Sequence, residues 1–230
     1  MIIKPRRKKI NIVGSVLLGN DPVSEVDSAL FVGIYIDKYL TWSVQINNLC
    51  TVLRKKVGIL FRLRCYVSKK VLLLLYHAFL QSQISYGIEV WGSAAKKSIN
   101  RIFILQKMAM RAITFGTRMT PSSPLFYSLG VLDVFKLYKH LVATFIFRLT
   151  LRQLPLSLCE YFKLFENYYD TRQKGRKFII PKVKTEHGKA SISFVGSKFW
   201  NTLPLELKSI KTIRSFSYKL RKYFLCDYIL

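Results

Sequence analysis

"FVGIYIDKYLTW", residues 31–42, is where the chain changes texture. A run of β-branched and aromatic residues ends at Ile36 and Asp37, and from Trp42 the apolar residues take up a helical period. Asp37 is either a carboxylate placed for chemistry or the punctuation of a strand-to-helix junction. A carboxylate at such a junction holds turn amides or favours the positive end of the helix that follows. The sequence reads as the junction, because Asp37 follows a strand and precedes a helix.

Upstream, "INIVGSVLL" (10–18) and "ALFVGIYI" (29–36) are separated by the turn formers "GNDPVSEVDS". They predict a β-hairpin or two neighbouring strands. Downstream, Ile46, Leu49, Leu53, Val57 and Leu60 step by three and four, one face of a helix. Ser68 is a candidate cap for a second helix, Lys69 to about Ser85. "YGIEVWGSA" (86–94) reads as its frayed end and a turn. A third helix covers about Lys96–Ile113, with Ile102, Leu105, Ala109 and Ile113 as its stripe. Ser123 and Pro124 predict one short turn of helix closed by Gly130, and Asp133 opens a fourth long helix to about Arg152. Beyond Leu154, "YYDTRQKGRKF" (168–178) reads as an exposed loop. "FIIPKVKTEHGKASISF" (178–194) is expected to supply two short strands, Pro181 marking an edge. Helical pieces at about 194–202 and 213–225 close the chain. The expected fold is mainly α with a small β portion: an N-terminal β-hairpin (1–37), a helical bundle (38–152) and a basic α+β C-terminal region (153–230).

The chain has 230 residues, half of them hydrophobic and 14% aromatic. That composition can bury a core and argues against wholesale disorder. Its 38 Lys+Arg face 12 Asp+Glu, a net charge of +26. Such one-signed charge repels itself, and a polyanion relieves it. Nucleic acid is the first choice and an anionic membrane surface the second. No stretch is long enough to span a membrane, "VLLLLYHAFL" (71–80) being about half the ~20 residues required. "IIKPRRKK" after Met1 lacks the apolar core and cleavage site of a secretory signal. An intracellular location, nuclear or cytoplasmic, is expected. Cys50, Cys65, Cys159 and Cys226 show no C-x-x-C spacing and read as ordinary thiols.

Catalytic constellations are scarce. Two-metal phosphoryl transfer needs converging carboxylates, and the chain has no Asp-Asp pair. Glu25 and Asp27, the closest-spaced acids, read as solvated turn residues. His77, His140 and His187 lack partners at metal or triad spacing, and only His187 invites a test. No P-loop, G-x-G-x-x-G or G-x-S-x-G pattern occurs. Neither a catalytic residue nor a metal ligand is assigned. Cations interleaved with aromatics are plentiful: "RKKVGILFRLRCYVSKK" (54–70) holds seven cations with Phe61 and Tyr66, and "RSFSYKLRKYF" (214–224) repeats the texture. Phe61 reads as core. Lys55 and Arg62, flanked by Arg54, stand opposite the apolar stripe. Lys97, Arg101, Lys107 and Arg111 share about a third of the next wheel. Together with Lys69 and Lys70, these are the candidate nucleic-acid contacts.

"FVGIYIDKYLTWSVQINNL" (31–49) resembles the F-L-G-x-x-I-D…L-x-W…H-I stretch that follows the palm in reverse transcriptases of jockey- and CR1-like non-LTR retrotransposons. "LLLYHAFLQSQISYGIEVWGSA" (73–94) resembles their L-Y…L-x-Y-G…W-G thumb segment, and "ILQKMAMRAI" (104–113) the L-Q-x-x-A-x-R-x-I helix after it. "SFVGSKFWNTLPLELKSIKTIRSFSYKLRKYFL" (193–225) is similar to their W-N-x-L-P…F-K-x-x-L-K ending, and "MIIKPRRKKINI" (1–12) to the segment after the catalytic hairpin. The resemblance implies a palm edge at 1–37, a thumb-like domain at 38–152 and a C-terminal region at 153–230. It implies a primer-grip-like strand in which Phe31 and Gly33 match F-x-G. The family's F/Y-x-D-D carboxylates and fingers are expected in a parent protein upstream of residue 1. By that resemblance Mg²⁺ serves the parent polymerase, and no cofactor is expected in this chain. Its partners would be an RNA–DNA or other duplex, gripped by its backbone without sequence readout, and the parent's missing fingers and palm. The alternative is a basic helical adaptor for nucleic acid or protein, with "PRRKK" (5–9) as a nuclear-import signal.

Overall fold

The computed structural model describes Met1, Ile3 and residues 17–164 and 177–228. Most of segment 10–18, the basic "PRRKK" and most of loop 168–178 lie outside the described residues. Four short strands come first: β1 (Leu17–Leu18), β2 (Asp21–Pro22), β3 (Ser28–Phe31) and β4 (Ile34–Asp37). β1 pairs with β2 and β3 with β4, both antiparallel. The run 29–36, expected as a single strand, is therefore a complete hairpin. Phe31 pairs with Ile34 across a two-residue turn. Val32 and Gly33 both take positive φ, 46° and 75°, the geometry of a type I′ turn. Val32 hides the turn from a sequence reading, because a β-branched residue rarely adopts that conformation.

The helices are α1 (Ser43–Leu63), α2 (Lys69–Leu75), α3 (Ser82–Ser85), α4 (Ile88–Trp91), α5 (Lys96–Thr114), α6 (Ser122–Ser128) and α7 (Val134–Thr150). After them come α8 (Leu156–Cys159), α9 (Glu186–Ala190), α10 (Ile192–Thr202), α11 (Leu205–Lys208) and α12 (Ile213–Cys226). A π-helical stretch, Tyr76–Gln81, joins α2 to α3, so Lys69–Ser85 is one helical run, as its periodicity predicts. The mainly helical fold with a small N-terminal hairpin agrees with the expected class. Ile46, Leu53, Val57 and Leu60 of α1 are buried against α5, whose Ile102, Ala109 and Ile113 face them. The two helices run side by side in the same direction. Arg101 near the start of α5 bonds Asn47 near the start of α1, and Arg64 lies over the Phe115 ring at their far ends.

Asp37 answers the question its position raises. It is 6% exposed. Oδ1 accepts from the Tyr39 amide (3.2 Å), the Thr41 amide (3.0 Å) and the Thr41 hydroxyl (3.2 Å), and Oδ2 from the Trp42 amide (2.7 Å). Leu40 and Trp42 both have positive φ in this loop, a costly conformation for residues with a side chain. The carboxylate gathers the amides of Tyr39, Thr41 and Trp42, the Asp37 carbonyl takes that of Leu40, and together they make the sharp turn into α1 tenable. Gln45, in the first turn of α1, accepts from the Tyr35 amide and locks the hairpin to the helix.

Residues 86–94 are a packing corner rather than a frayed end. Trp91 is fully buried, and its Nε1 donates to the Tyr86 carbonyl at 3.0 Å. The Tyr86 hydroxyl donates to the Val32 carbonyl at 2.7 Å, pinning the hairpin tip. A Cβ on Gly87 (φ +59°) would stand 2.3 Å from Ile34 Cδ1, and one on Gly92 2.4 Å from the Tyr138 ring. Glycine at both places lets β4 and α7 close on this corner.

Asp133 caps α7 by accepting from the amides of Phe135 and Lys136. The expected Ser123–Pro124 start of α6 falls inside its first turn, Pro121 occupying the cap position. In the C-terminal region the two expected strands do not form within 178–194. Among the described residues, Phe178 makes a single bridge to Leu164, and its amide and carbonyl are taken by the Asn201 side chain. Thr185 and Ser191 instead cap α9 and α10, since a hydroxyl accepting an N-terminal amide favours helix over strand there. Trp200, Phe147 and Phe216 stack together and bury α10 and α12 against α7.

Replacing Asp37 by Ala leaves several half-buried donors without a partner. The expected loss is about 2–4 kcal/mol of stability, read as a lowered thermal midpoint, with Asp37→Asn falling between. A change within about 0.5 kcal/mol, typical of an indifferent surface site, would contradict this account of the junction.

Candidate nucleic-acid interface

The only acidic residue between Lys38 and Leu132 is Glu89. The helical module from α1 to α6 is thus a cationic surface with almost no internal neutralisation. Among the described residues, ion pairs join Lys38 to Asp27, Lys136 to Asp227 and Lys189 to Glu186. None involves a candidate contact residue.

The candidates fall into four groups. Lys55 and Arg62 are exposed on the outer face of α1, two turns apart and opposite its buried stripe. Lys69 and Lys70 are exposed in the first turn of α2. There the helix dipole disfavours cations, so their charge does not serve the helix itself. Arg54, Lys97 and Arg101 are exposed along the seam between α1 and α5. Arg101 Nη1 donates to Asn47 Oδ1 at 2.5 Å, and both arginines bear electrostatically on buried Cys50, whose thiol burial pushes up. Lys107 and Arg111 are only half-exposed. Lys107 Nζ lies 4.6 Å from the centre of the Phe103 ring, and Arg111 Nε donates to the Thr120 carbonyl at 3.1 Å. The structure therefore sets Arg54 beside the α5 face that carries Lys97 and Arg101, places Arg111 further along the same seam with its Nε on the Thr120 carbonyl, and turns Lys107 onto the Phe103 ring.

Phe31 ends β3 and Gly33 lies in the turn at the hairpin tip. Phe31 is 67% exposed, while Gly33 rests on the Tyr86 ring. Phe61, which the sequence assigns to the core, is 36% exposed. Its wheel position follows Arg54 and Gly58 along the seam, not the buried stripe. Sequence reasoning also passed over Arg64 and Phe115. Arg64 sits with its guanidinium 5.7 Å from the Phe61 ring centre and 5.8 Å from that of Phe115. The parallel pairing of α1 with α5 creates this arrangement, and no local pattern announces it.

The histidines are placed as parts of the fold. His77 Nδ1 is 2.7 Å from Gln81 Oε1 within the π-helical stretch. His187 is exposed on α9. His140 is buried on α7, its Nε2 3.1 Å from the Ser217 carbonyl of α12. Among the described residues no three His, Cys, Asp or Glu side chains converge as a metal site. Both oxygens of Asp37 are already taken by the loop that it organises. No helix of the described residues is long and apolar enough to cross a membrane.

The chain is distantly similar, over part of its length, to RNA-directed DNA polymerases of non-LTR retrotransposons. It is 33% identical over 96 residues to a probable RNA-directed DNA polymerase from the transposon X-element of Drosophila melanogaster, covering 40% of this chain and 11% of that protein. It is 34% identical over 87 residues to the RNA-directed DNA polymerase from the mobile element jockey of the same organism, covering 36% and 10%. A probable RNA-directed DNA polymerase from the Drosophila transposon BS is 34% identical over 98 residues, covering 40% and 10%. The matches thus span about a tenth of each relative. No protein-family model and no solved structure matches the chain.

Burial holds the His140 imidazole below its ordinary pKa, with Arg221 adding to the effect and the Ser217 carbonyl opposing it. As pH falls below about 6.5 the unfolded chain takes up this proton first. The stability His140 contributes is therefore present above roughly pH 6.5 and lost as pH falls through the lower folded-state value. Urea unfolding across that range should show stability falling with acid, and His140→Gln should flatten the dependence. An unchanged slope in the variant would refute this role.

Proposed function

We propose that this chain is the part of a retrotransposon RNA-directed DNA polymerase that follows the palm, and that it grips template–primer duplex through backbone phosphates. Residues 1–37 would be the palm edge, with Phe31 and Gly33 of the β3–β4 hairpin in the primer-grip position. Residues 38–152 would form the thumb and 153–230 the basic C-terminal region. The observation that carries this reading is the set of exposed cations Arg54, Lys55, Arg62, Lys69, Lys70 and Lys97, none of them in an ion pair among the described residues, on a helical module whose one acid is Glu89. Partial similarity to RNA-directed DNA polymerases supports the same polyanion.

Charges on rigid helices meet phosphates at fixed places and carry no base information. Binding would therefore be insensitive to sequence. Bond-making would belong to carboxylates elsewhere in the parent, and Mg²⁺ has no assigned role in this chain. Purified alone, the chain is expected to leave a primed RNA template unextended with Mg²⁺ and deoxynucleotides. Extension that vanishes on Glu25→Ala or Asp27→Ala would overturn that part of the proposal.

The outer face of α1 provides the sharper test. Lys55→Ala combined with Arg62→Ala should weaken binding to unrelated duplex sequences equally and reduce the salt slope by about one unit per lost phosphate contact. The thermal midpoint should barely move, as exposed substitutions cost within about 0.5 kcal/mol. Leu53→Ala should do the reverse, costing roughly 2–5 kcal/mol of stability through the cavity it opens in the α1 core. Normal binding by the double variant would remove this face from the grip.

A further inference from the structure

Parallel packing of α1 and α5 leaves a groove of about 620 Å³ between their C-terminal halves, within the ~300–1,000 Å³ range of small-ligand clefts. Phe61, Ile104, Met108 and Phe115 line it and are 36–51% exposed. Arg64, Arg111 and Arg118 complete the wall. The groove continues the seam that carries Arg54, Lys97 and Arg101. Between Arg54 and Phe61 on that face stands Gly58, and a Cβ built there would meet nothing within 4 Å. Glycine inside a helix costs roughly 0.5–1 kcal/mol relative to alanine, and here it leaves a bare floor between a cation and an aromatic ring.

Phe115 gives the groove its meaning. It ends α5 in the left-handed conformation, with φ 57°. That position normally takes glycine, because a side chain there is strained. The strain is not repaid by burial, since the ring is 51% exposed. Its backbone amide closes the helix on the Arg111 carbonyl, and glycine would make the same bond. What glycine could not supply is the ring, which lines the same groove as Phe61, with the Arg64 guanidinium over each of the two rings. Strained conformations of this kind concentrate at ligand sites.

We propose that this groove holds an unpaired nucleotide. The occupant must offer a flat apolar face to the phenylalanine rings and negative charge to three arginines, in a module with no acid near the groove. Unpaired nucleic acid combines both, its bases stacking on aromatic rings while its phosphates meet cations. A paired duplex keeps its bases stacked inward and cannot use the rings. The groove thus extends the proposed grip from the duplex to a single-stranded segment continuous with it, with phosphates running along Arg54 and Arg101. This inference rests on the nucleic-acid reading of the chain.

The test compares two probes by fluorescence anisotropy: a blunt RNA–DNA hybrid, and the same hybrid with an unpaired overhang, of RNA in one arm and DNA in the other. Wild-type protein should bind the overhang probe more tightly. Phe115→Gly should lower that affinity about five- to hundredfold, the usual range for losing a stacked base, and leave the blunt hybrid nearly unaffected. Its thermal midpoint should hold or rise, because glycine relieves the strained position. Phe61→Ala should lower overhang affinity in the same direction. If the probes bind equally and neither variant separates them, the groove assignment is wrong while the duplex grip stands. If Phe115→Gly destabilises the fold and leaves overhang binding intact, the ring is structural and the assignment again fails. Failure of every probe to bind, even at low salt, would remove the nucleic-acid reading and this inference with it.

Discussion

The corner from Tyr86 to Gly92 is the contact on which the arrangement depends. Trp91 fills the space beneath it, and its indole N–H closes the turn on the Tyr86 carbonyl. The Tyr86 hydroxyl reaches the hairpin tip, Gly87 admits Ile34 of β4, and Gly92 admits Tyr138 of α7. Three elements distant in sequence meet where two missing Cβ atoms make room. The corner also turns the chain from the Lys69–Ser85 helical run into α5, so that α5 comes to lie beside α1. Without that pairing the seam carrying Arg54, Lys97 and Arg101 would not exist, nor would the aromatic groove at its end.

A second constraint acts through charge. A folded chain at +26 bears considerable self-repulsion. Its stability must come from the continuous apolar core running from Ile46 on α1 to Phe224 on α12, because ion pairs contribute little. The few ion pairs seen outside α1–α6 are partly exposed and of the kind that adds at most about 1 kcal/mol. Among the described residues, no ion pair compensates the cations on α1 and α2. Buried polar groups, by contrast, are handled with care. Gln106 donates to the Tyr76 hydroxyl and accepts from the Val134 amide, tying the π-helical stretch to the start of α7. The Tyr228 hydroxyl donates to the Asp133 carboxylate and brings the end of α12 onto the same cap. Burial of both tyrosines and the nearby carboxylate push their hydroxyl pKa values up, which keeps them as neutral donors and acceptors.

What the sequence disclosed is what has a period or a strong local rule. The stripes of α1 and α5, the Asp133 cap and the helical run from Lys69 were legible because burial selects every third or fourth residue. The Asp37 junction was legible as a change of period. Features that depend on distant partners were not. The Val32–Gly33 turn was masked by valine in a conformation that residue avoids. Asn201 acts as the pairing partner of the Phe178 backbone, where a strand was expected, and nothing near residue 178 says so. Phe61 read as core because its aromatic character outweighs its wheel position, one step off the buried stripe. The seam cations were named individually from the sequence, but only the parallel register of α1 and α5 shows that Arg54 and Arg101 belong together, that Arg111 lines the groove at the seam's end and that Lys107 turns onto the Phe103 ring.

The claim at the centre of this account is that an uncompensated cationic face binds nucleic acid by charge and not by sequence. It is tested most directly by measuring the affinity of the intact chain for two RNA–DNA hybrids of unrelated sequence across a salt series. With roughly 5–8 phosphates neutralised, both affinities should fall together, on the order of 10³–10⁴-fold between about 50 and 200 mM salt. A flat salt profile, or slopes that differ between the two sequences, would contradict it.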